Sequence, residues 1–272
     1  MHDSLRDKAQ RLRELHHSGR ILVLPNVWDA GSARLVEQAG YPAIATSSAG
    51  IAFTYGLPDG QLVSRTLMLE AVARIAGAVN VPVTADLEAG YGDIVATVQG
   101  MLDAGAVGLN LEDTEGDQLV DLEEQVRRIQ ALRRAADAAG VPVVLNARCD
   151  IFLAAMGPAE TRLDRTLERL HAYTEAGADS LFVPGVVDEH TISRLVRGVS
   201  LPLNILATSG APPVARLEEL GVRRVSMGSG PARAAMSMAL VVAEELRETG
   251  TYSSFTSAKL SYAAAQKAFA PR

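Results

Sequence analysis

The chain has 272 residues, 48% of them hydrophobic, and a formal net charge of −6. That is enough apolar mass for one α/β barrel of ordinary size, while the acidic balance and the lack of a basic run exclude nucleic acid and an anionic membrane surface as expected partners. No apolar stretch approaches the ~20 residues of a membrane span. The opening "MHDSLRDKAQRLRELHHSGR" is charged and helical in pattern rather than a secretory leader, and the single cysteine leaves no intrachain disulfide, so a cytoplasmic location is expected.

After the N-terminal helical segment, apolar runs of strand length recur between Gly, Pro and Asp breaks: 21–26, 43–48, 81–88, 108–113, 142–150, 180–185, 201–207 and 223–229. Amphipathic helical patterns such as "AGSARLVEQAG" and "DLEEQVRRIQALRRAADAAG" lie between them. Gly40, Gly140, Gly177 and Gly221 stand where such a pattern gives way to the next strand, the position of a left-handed C′ residue. Eight alternating units with strands apolar on both faces predict a (β/α)8 TIM-type barrel with an N-terminal helix and an extra C-terminal helix. The alternative, a doubly wound open sheet, lacks its Gly-rich dinucleotide fingerprint after the first strand. No composition shift divides the chain, so 1–272 is read as one domain.

A barrel carries its chemistry at the C-terminal ends of its strands, and polar residues gather there. Asn26 ends the first strand, Ser47 and Ser48 the second, Asp86 and Glu88 the third. Asn110, Glu112 and Asp113 end the fourth, and Asn146, Arg148 and Asp150 the fifth, while Asn204 lies on the seventh. The period of two puts Thr84, Asp86 and Glu88 on one face, and Asn146, Arg148 and Asp150 on one face with Cys149 opposite. Asp113 points away from Glu112, and Cys149 is read as a packed thiol rather than a nucleophile.

Carboxylates on neighbouring strand ends repel one another without a cation. Oxygen donors with no His or Cys beside them suit a hard ion, Mg²⁺ or Mn²⁺, and Mg²⁺ keeps several waters, so not every carboxylate need touch it. Asp86, Glu88 and Glu112 are therefore the candidate metal residues. The competing reading is a structural ion pair of Arg148, with Asp86 or Glu88 or with Asp150 two residues on. His2, His16, His17, His171 and His190 all lie on helical patterns and are read as surface residues. No G-x-S-x-G, P-loop or barrel Schiff-base lysine is present, and Lys8 and Lys259 fall in terminal segments.

From about residue 20 to 240 the sequence resembles the isocitrate lyase/phosphoenolpyruvate mutase superfamily, on "NVWDAGSARLVEQAGYPAIATSSAG", "YGLPDG", "ADLEAGYGD", "GLNLED" and "NARCDIFL". The family's D-x-D-x-G-Y-G segment here reads D-L-E-A-G-Y-G, with Glu88 in place of the second Asp. The resemblance implies that Asp86 touches the metal directly and that Glu88 and Glu112 hold its waters. It implies an acid/base role for Asp59, and substrate carboxylate binding by Ser47, Ser48 and Ala49. Arg148 becomes the clamp on the substrate's anionic end, a role its planar fork suits, and Asn204 is counted among the substrate contacts. The resemblance also implies a homo-oligomer, a dimer or tetramer, in which the last barrel helix packs on a neighbour.

The segment after the fourth strand departs from the family. Lyases there carry a K-[KR]-C-G-H lid, and mutases and phosphonopyruvate hydrolases a lid with Lys, Thr and Asn. Here "LEDTEGDQLVDLEEQ" is short and acidic, with no Cys, Lys or His. The expected function is Mg²⁺-dependent cleavage of a C–C bond, of lyase or decarboxylase type, in a small α-oxo or 2-hydroxy di- or tricarboxylate through an enolate held on the metal. The alternatives are a P–C bond enzyme and a barrel that binds an oxo acid without catalysis.

Overall fold

The computed structural model describes residues 4–256 and 260–270; His2 and Lys259 lie outside them. The strands are β1 (Leu22–Leu24), β2 (Asn26–Val27), β3 (Ile44–Thr46), β4 (Val83–Asp86), β5 (Gly108–Glu112), β6 (Thr114–Glu115), β7 (Gln118–Leu119), β8 (Val144–Arg148), β9 (Ser180–Val183), β10 (Leu203–Leu206) and β11 (Arg224–Ser226). Nine of them form one parallel sheet in the order β1-β11-β10-β9-β8-β5-β4-β3-β2, and β6 and β7 form an antiparallel hairpin. The first predicted strand is split at Pro25, whose nitrogen cannot donate to a ladder. Its first half pairs with β11 and its second half with β3. Both neighbours are thereby served by one stretch of chain, and the sheet is a nearly closed barrel with helices around it.

The helices begin where short polar side chains can accept from the free N–H groups of the first turn. Asp29, Ser47, Ser64, Asp93, Asp121 and Asp188 each do so. The glycines expected at the far ends have the left-handed φ that the position requires: Gly40, Gly140, Gly177 and Gly221. The large core lies between sheet and helices and includes Ile44, Met68, Leu87, Leu109, Leu145, Ile205 and Val225, all but sealed from solvent.

A smaller core fills the N-terminal end of the barrel, where the helix Leu5–His16 lies across the opening and sends Ala9 and Leu12 against Leu22, Leu24, Ala45 and Val144. A Cβ on Gly108 would come within 2.8 Å of Leu12, so that plug depends on a glycine. It also corrects the reading of His16 as a surface residue. His16 is 2% exposed, bonded through Nδ1 to the Leu12 carbonyl and through Nε2 to Arg224. His17, His171 and His190 are exposed as expected. At the other end of the chain the single extra helix is two short ones, Ser253–Thr256 and Tyr262–Ala268.

Candidate active site

Strand register sets the polar row. Asp86 pairs with Asn110, Asn110 with Asn146, and Asn146 with Ser180, so four polar side chains stand side by side inside the barrel. Ser180 Oγ donates to Asn146 Oδ1 (2.7 Å), Asn146 Nδ2 to Asn110 Oδ1 (2.9 Å), and Asn110 Nδ2 to Asp86 Oδ1 (3.2 Å). Each amide is thereby oriented, and the last donor is aimed at Asp86. The second Asp86 oxygen accepts from the Ser48 hydroxyl (3.0 Å) and the Ser48 N–H (3.3 Å), at the start of the helix Ser48–Thr54. Ser47 is occupied as the cap of that helix, accepting from Gly50 N–H, and Ala49 lies in its first turn.

One register step towards the mouth, Glu112 pairs with Arg148. Arg148 Nη1 meets Glu112 at 2.8 Å, while Nε and Nη2 grip Asp150 at 2.6 and 2.8 Å, and the guanidinium lies 5.8 Å from the centre of the Phe182 ring. The ion-pair reading of Arg148 holds for Asp150, while Glu112, rather than Asp86 or Glu88, is its other partner. Asp150 is in turn fixed by Thr114 Oγ1 (3.1 Å) and, through its N–H, by Asp113 Oδ1 (2.9 Å).

Asp113 points to the outside of the sheet as the alternation predicts, and there it accepts from Arg169 Nε (2.7 Å) and the Tyr173 hydroxyl (2.6 Å). Cys149 is fully buried beside this group, its thiol pushed well up by burial and by the Asp113 charge. It is packing, as expected.

Alternation fails at Glu88. β4 ends at Asp86, and Glu88 has φ +51°, so its side chain is not aimed by the strand. Its carboxylate accepts from Gly60 N–H (3.1 Å) and Gln61 N–H on one oxygen and from the Tyr91 hydroxyl (2.7 Å) on the other. The turn that follows needs Gly90, at φ +90°, where a Cβ would collide with Ile94. Asp59 sits on the exposed loop next to Gly60, and burial of its carboxyl and the Asp86 charge raise its pKa, against the Ser48 hydroxyl and Arg148.

Burial, opposed by Tyr91 and reinforced by Asp59 and Asp86, pushes Glu88 up to about 7. Burial, opposed by Arg148 and reinforced by Asp150, Asp86 and Glu88, pushes Glu112 to about 8. The mouth therefore holds more carboxylate than its cation neutralises. Among the described residues no group of three or more His, Cys, Asp and Glu converges as direct ligands, because Glu88 is turned to its loop and Glu112 to Arg148. Oxygen donors of this kind fit a hard cation, which Asp86 would hold.

Asn204 is buried, and its amide bonds to Ser226 Oγ (3.1 Å), with no hydrogen bond to the mouth. Two participants were not foreseen. Tyr91 stands in a quoted motif but carries no charge pattern. Arg224, in the run 223–229, is wholly buried, with its Nε unpartnered and its pKa lowered by burial to about 9.

A barrel whose strand ends gather oxygen donors around one arginine defines the class: a (β/α)8 protein with a polar, acidic mouth. The chain matches the family model described as phosphoenolpyruvate phosphomutase over residues 12–247, and it belongs to that family. It is an enzyme of the isocitrate lyase/phosphoenolpyruvate mutase type. It is 34% identical to 2-methylisocitrate lyase of Escherichia coli K12 over 245 residues, 83% of this chain and 80% of that one. It is 31% identical to oxaloacetate decarboxylase of Rhodopseudomonas palustris over 252 residues, 85% and 82%. The crystal structure of a candidate lyase/mutase from Burkholderia cenocepacia J2315 superposes with a TM-score of 0.91 at 38% identity, covering 98% of this chain and 97% of that one.

Proposed function

We propose that the chain is a Mg²⁺-dependent carbon–carbon lyase acting on a small α-oxo or 2-hydroxy di- or tricarboxylate. The observation that carries this reading is the array of Ser48, Asp86, Asn110, Glu112 and Arg148 on consecutive elements of the barrel mouth, fixed by strand register. The names of the similar 2-methylisocitrate lyase and oxaloacetate decarboxylase support the C–C bond as the one broken. When bound beside Asp86, Mg²⁺ would offset the negative charge that grows on the substrate's oxo oxygen.

The protein's own groups do the rest. Three of the five Arg148 N–H groups are spent on Glu112 and Asp150, which holds the fork still and leaves the others for a substrate carboxylate. Ser47 through its O–H and Ala49 through its N–H offer donors to the other end of the substrate, beside Ser48, whose own O–H and N–H are given to Asp86. Asp59, with its raised pKa, carries the proton to or from the carbon or hydroxyl at the cleaved bond. The hairpin β6–β7 contributes no Cys, Lys or His and is held down by Arg128 to Glu115 (2.8 Å) and by Arg169 to the Val120 carbonyl (2.7 Å). Without a lid acid, the decarboxylase form of the reaction becomes the second reading, since loss of CO₂ needs only one proton delivered afterwards.

The homo-oligomer belongs to the same proposal. The helix Gly230–Thr249 buries only Ala232 and exposes Met236, Met238, Leu240, Val241 and Leu246.

A panel of oxo and hydroxy acids, assayed with and without Mg²⁺ for pyruvate, glyoxylate, CO₂ and phosphate, tests the function. Pyruvate or glyoxylate released only with Mg²⁺ supports lysis, and CO₂ alone selects decarboxylation. Phosphate release from a phosphonate would replace the reading with P–C chemistry. No product from any acid would leave a binding barrel.

A further inference from the structure

The loop of residues 57–63 carries Asp59, whose carboxyl reaches the Ser48 hydroxyl, and its backbone is tied down at few points. Tyr55, Leu57 and Leu62 are exposed, and Val63 is the first residue to be buried again. Among the described residues, the backbone hydrogen bonds that tie 58–62 to another element are those of Gly60 and Gln61, and both end on one oxygen of Glu88. The other Glu88 oxygen takes the Tyr91 hydroxyl at 2.7 Å.

Four non-glycine residues have positive φ among the described residues, and three of them, Gln61 (+61°), Glu88 (+51°) and Tyr91 (+56°), meet in this one constellation. Unfavourable backbone held at a single place marks a site where the surrounding contacts over-determine the geometry. Glu88 is also where the sequence departs from the D-x-D pattern, and its extra methylene is the reach that takes a carboxylate from the end of β4 to the loop.

We infer that Glu88 is a latch between β4 and the Asp59 loop, and that Tyr91, by fixing the Glu88 carboxylate, is a positioning residue for Asp59. The inference rests on the acid/base role of Asp59 proposed above, and it assigns the glutamate and the tyrosine a task separate from any metal. The Tyr91 hydroxyl lies 2.7 Å from a Glu88 carboxylate oxygen, which can only accept. Tyr91 therefore serves as a donor to Glu88.

The test has one arm that needs no substrate and no metal. In the metal-free protein, Tyr91→Phe keeps the ring and removes the O–H, and Glu88→Asp shortens the latch. Amide hydrogen exchange of Gly60 and Gln61 should quicken about tenfold in both variants, the worth of one charge-assisted hydrogen bond, while β4 and β5 exchange as before. Unchanged exchange at those two amides would overturn the latch.

The second arm measures turnover of oxaloacetate or 2-methylisocitrate, whichever the enzyme accepts, with Mg²⁺ present. Tyr91→Phe should lower kcat by about tenfold or more with little change in KM, and should add nothing in an Asp59→Asn background. Loosened amides with wild-type kcat, or losses that add, would overturn the positioning role. Wild-type kcat in Asp59→Asn would strike at the proposed acid/base role instead, and the exchange arm would still decide the latch.

Discussion

Asp86 accepts from Ser48 on one oxygen and Asn110 on the other, and it is 8% exposed. A carboxylate so fixed beside Asp59, Glu88 and Glu112 costs folding energy that a cation would return. Asp86→Ala should abolish Mg²⁺ binding in a calorimetric titration while the far-ultraviolet circular dichroism stays that of the parent; undiminished Mg²⁺ affinity would refute the assignment. Arg148 shows why charge alone does not describe a residue. Its fork contacts Glu112 with one nitrogen and Asp150 with two, a geometry that an ammonium cannot reproduce. Arg148→Lys should raise KM far more than it changes kcat and lower stability by about 3 kcal/mol, because a buried carboxylate loses its partner. An unchanged KM in steady-state assays would make Arg148 a structural residue only.

Strand β5 shows how one element serves two faces. Glu112 turns in to the mouth and Asp113 turns out to Arg169 and Tyr173, so the end of the strand is braced from both sides. Asp113 also holds the Asp150 N–H, and its own carbonyl accepts from Val120 at the base of the β6–β7 hairpin. Arg148, the hairpin and the outer helix Ala159–Ala176 are thereby joined through one residue. Asp113→Asn should cost about 3 kcal/mol, read from denaturant unfolding, since Arg169 is left as a buried charge with a neutral partner. Loss of less than half of that would show that Arg169 is solvated in the variant and that the brace is weak.

At the scale of the molecule, the acidic mouth and the barrel interior form one electrostatic system. Glu88 and Glu112 are raised to about 7 and about 8 from the ordinary 4.5. With both carboxyls protonated, the folded, metal-free protein binds more protons than the unfolded chain between about pH 6 and 8. This outweighs the buried, neutral His16, which acts the other way, so stability falls as the pH rises through that window. The thermal midpoint without metal should accordingly be several degrees higher at pH 6 than at pH 8.5. Saturating Mg²⁺ favours the ionised forms, so it should stabilise most at pH 8.5 and release protons when added near pH 7. A metal-free midpoint that rises from pH 6 to 8.5 would contradict the raised values. Arg224, sealed in the barrel with Asp86 as the charge that most favours its ionised form, is the interior counterweight to those carboxylates.

The sequence by itself determined the barrel, because eight apolar runs with caps and C′ glycines are local signals that each act over a few residues. It also determined which residues crowd the mouth, since polar strand ends follow from the period of two, and for Glu112, Asp113 and Cys149 that period gave the right face. Its authority ended where strand pairing ended. Past Asp86 the chain is no longer held by a ladder, so the left-handed turn at Glu88, and with it the bond to the Asp59 loop, was set by contacts between segments 27 and 28 residues apart. Tertiary structure likewise decided that Arg148 belongs to Glu112 and Asp150, that Asn204 bonds to Ser226, and that His16 is buried. Asp150 is local, two residues on from Arg148, but Glu112, Ser226 and Arg224 come to Arg148, Asn204 and His16 from other strands. A side chain's burial and hydrogen bonds depend on what the fold brings opposite it, which no spacing along the chain encodes.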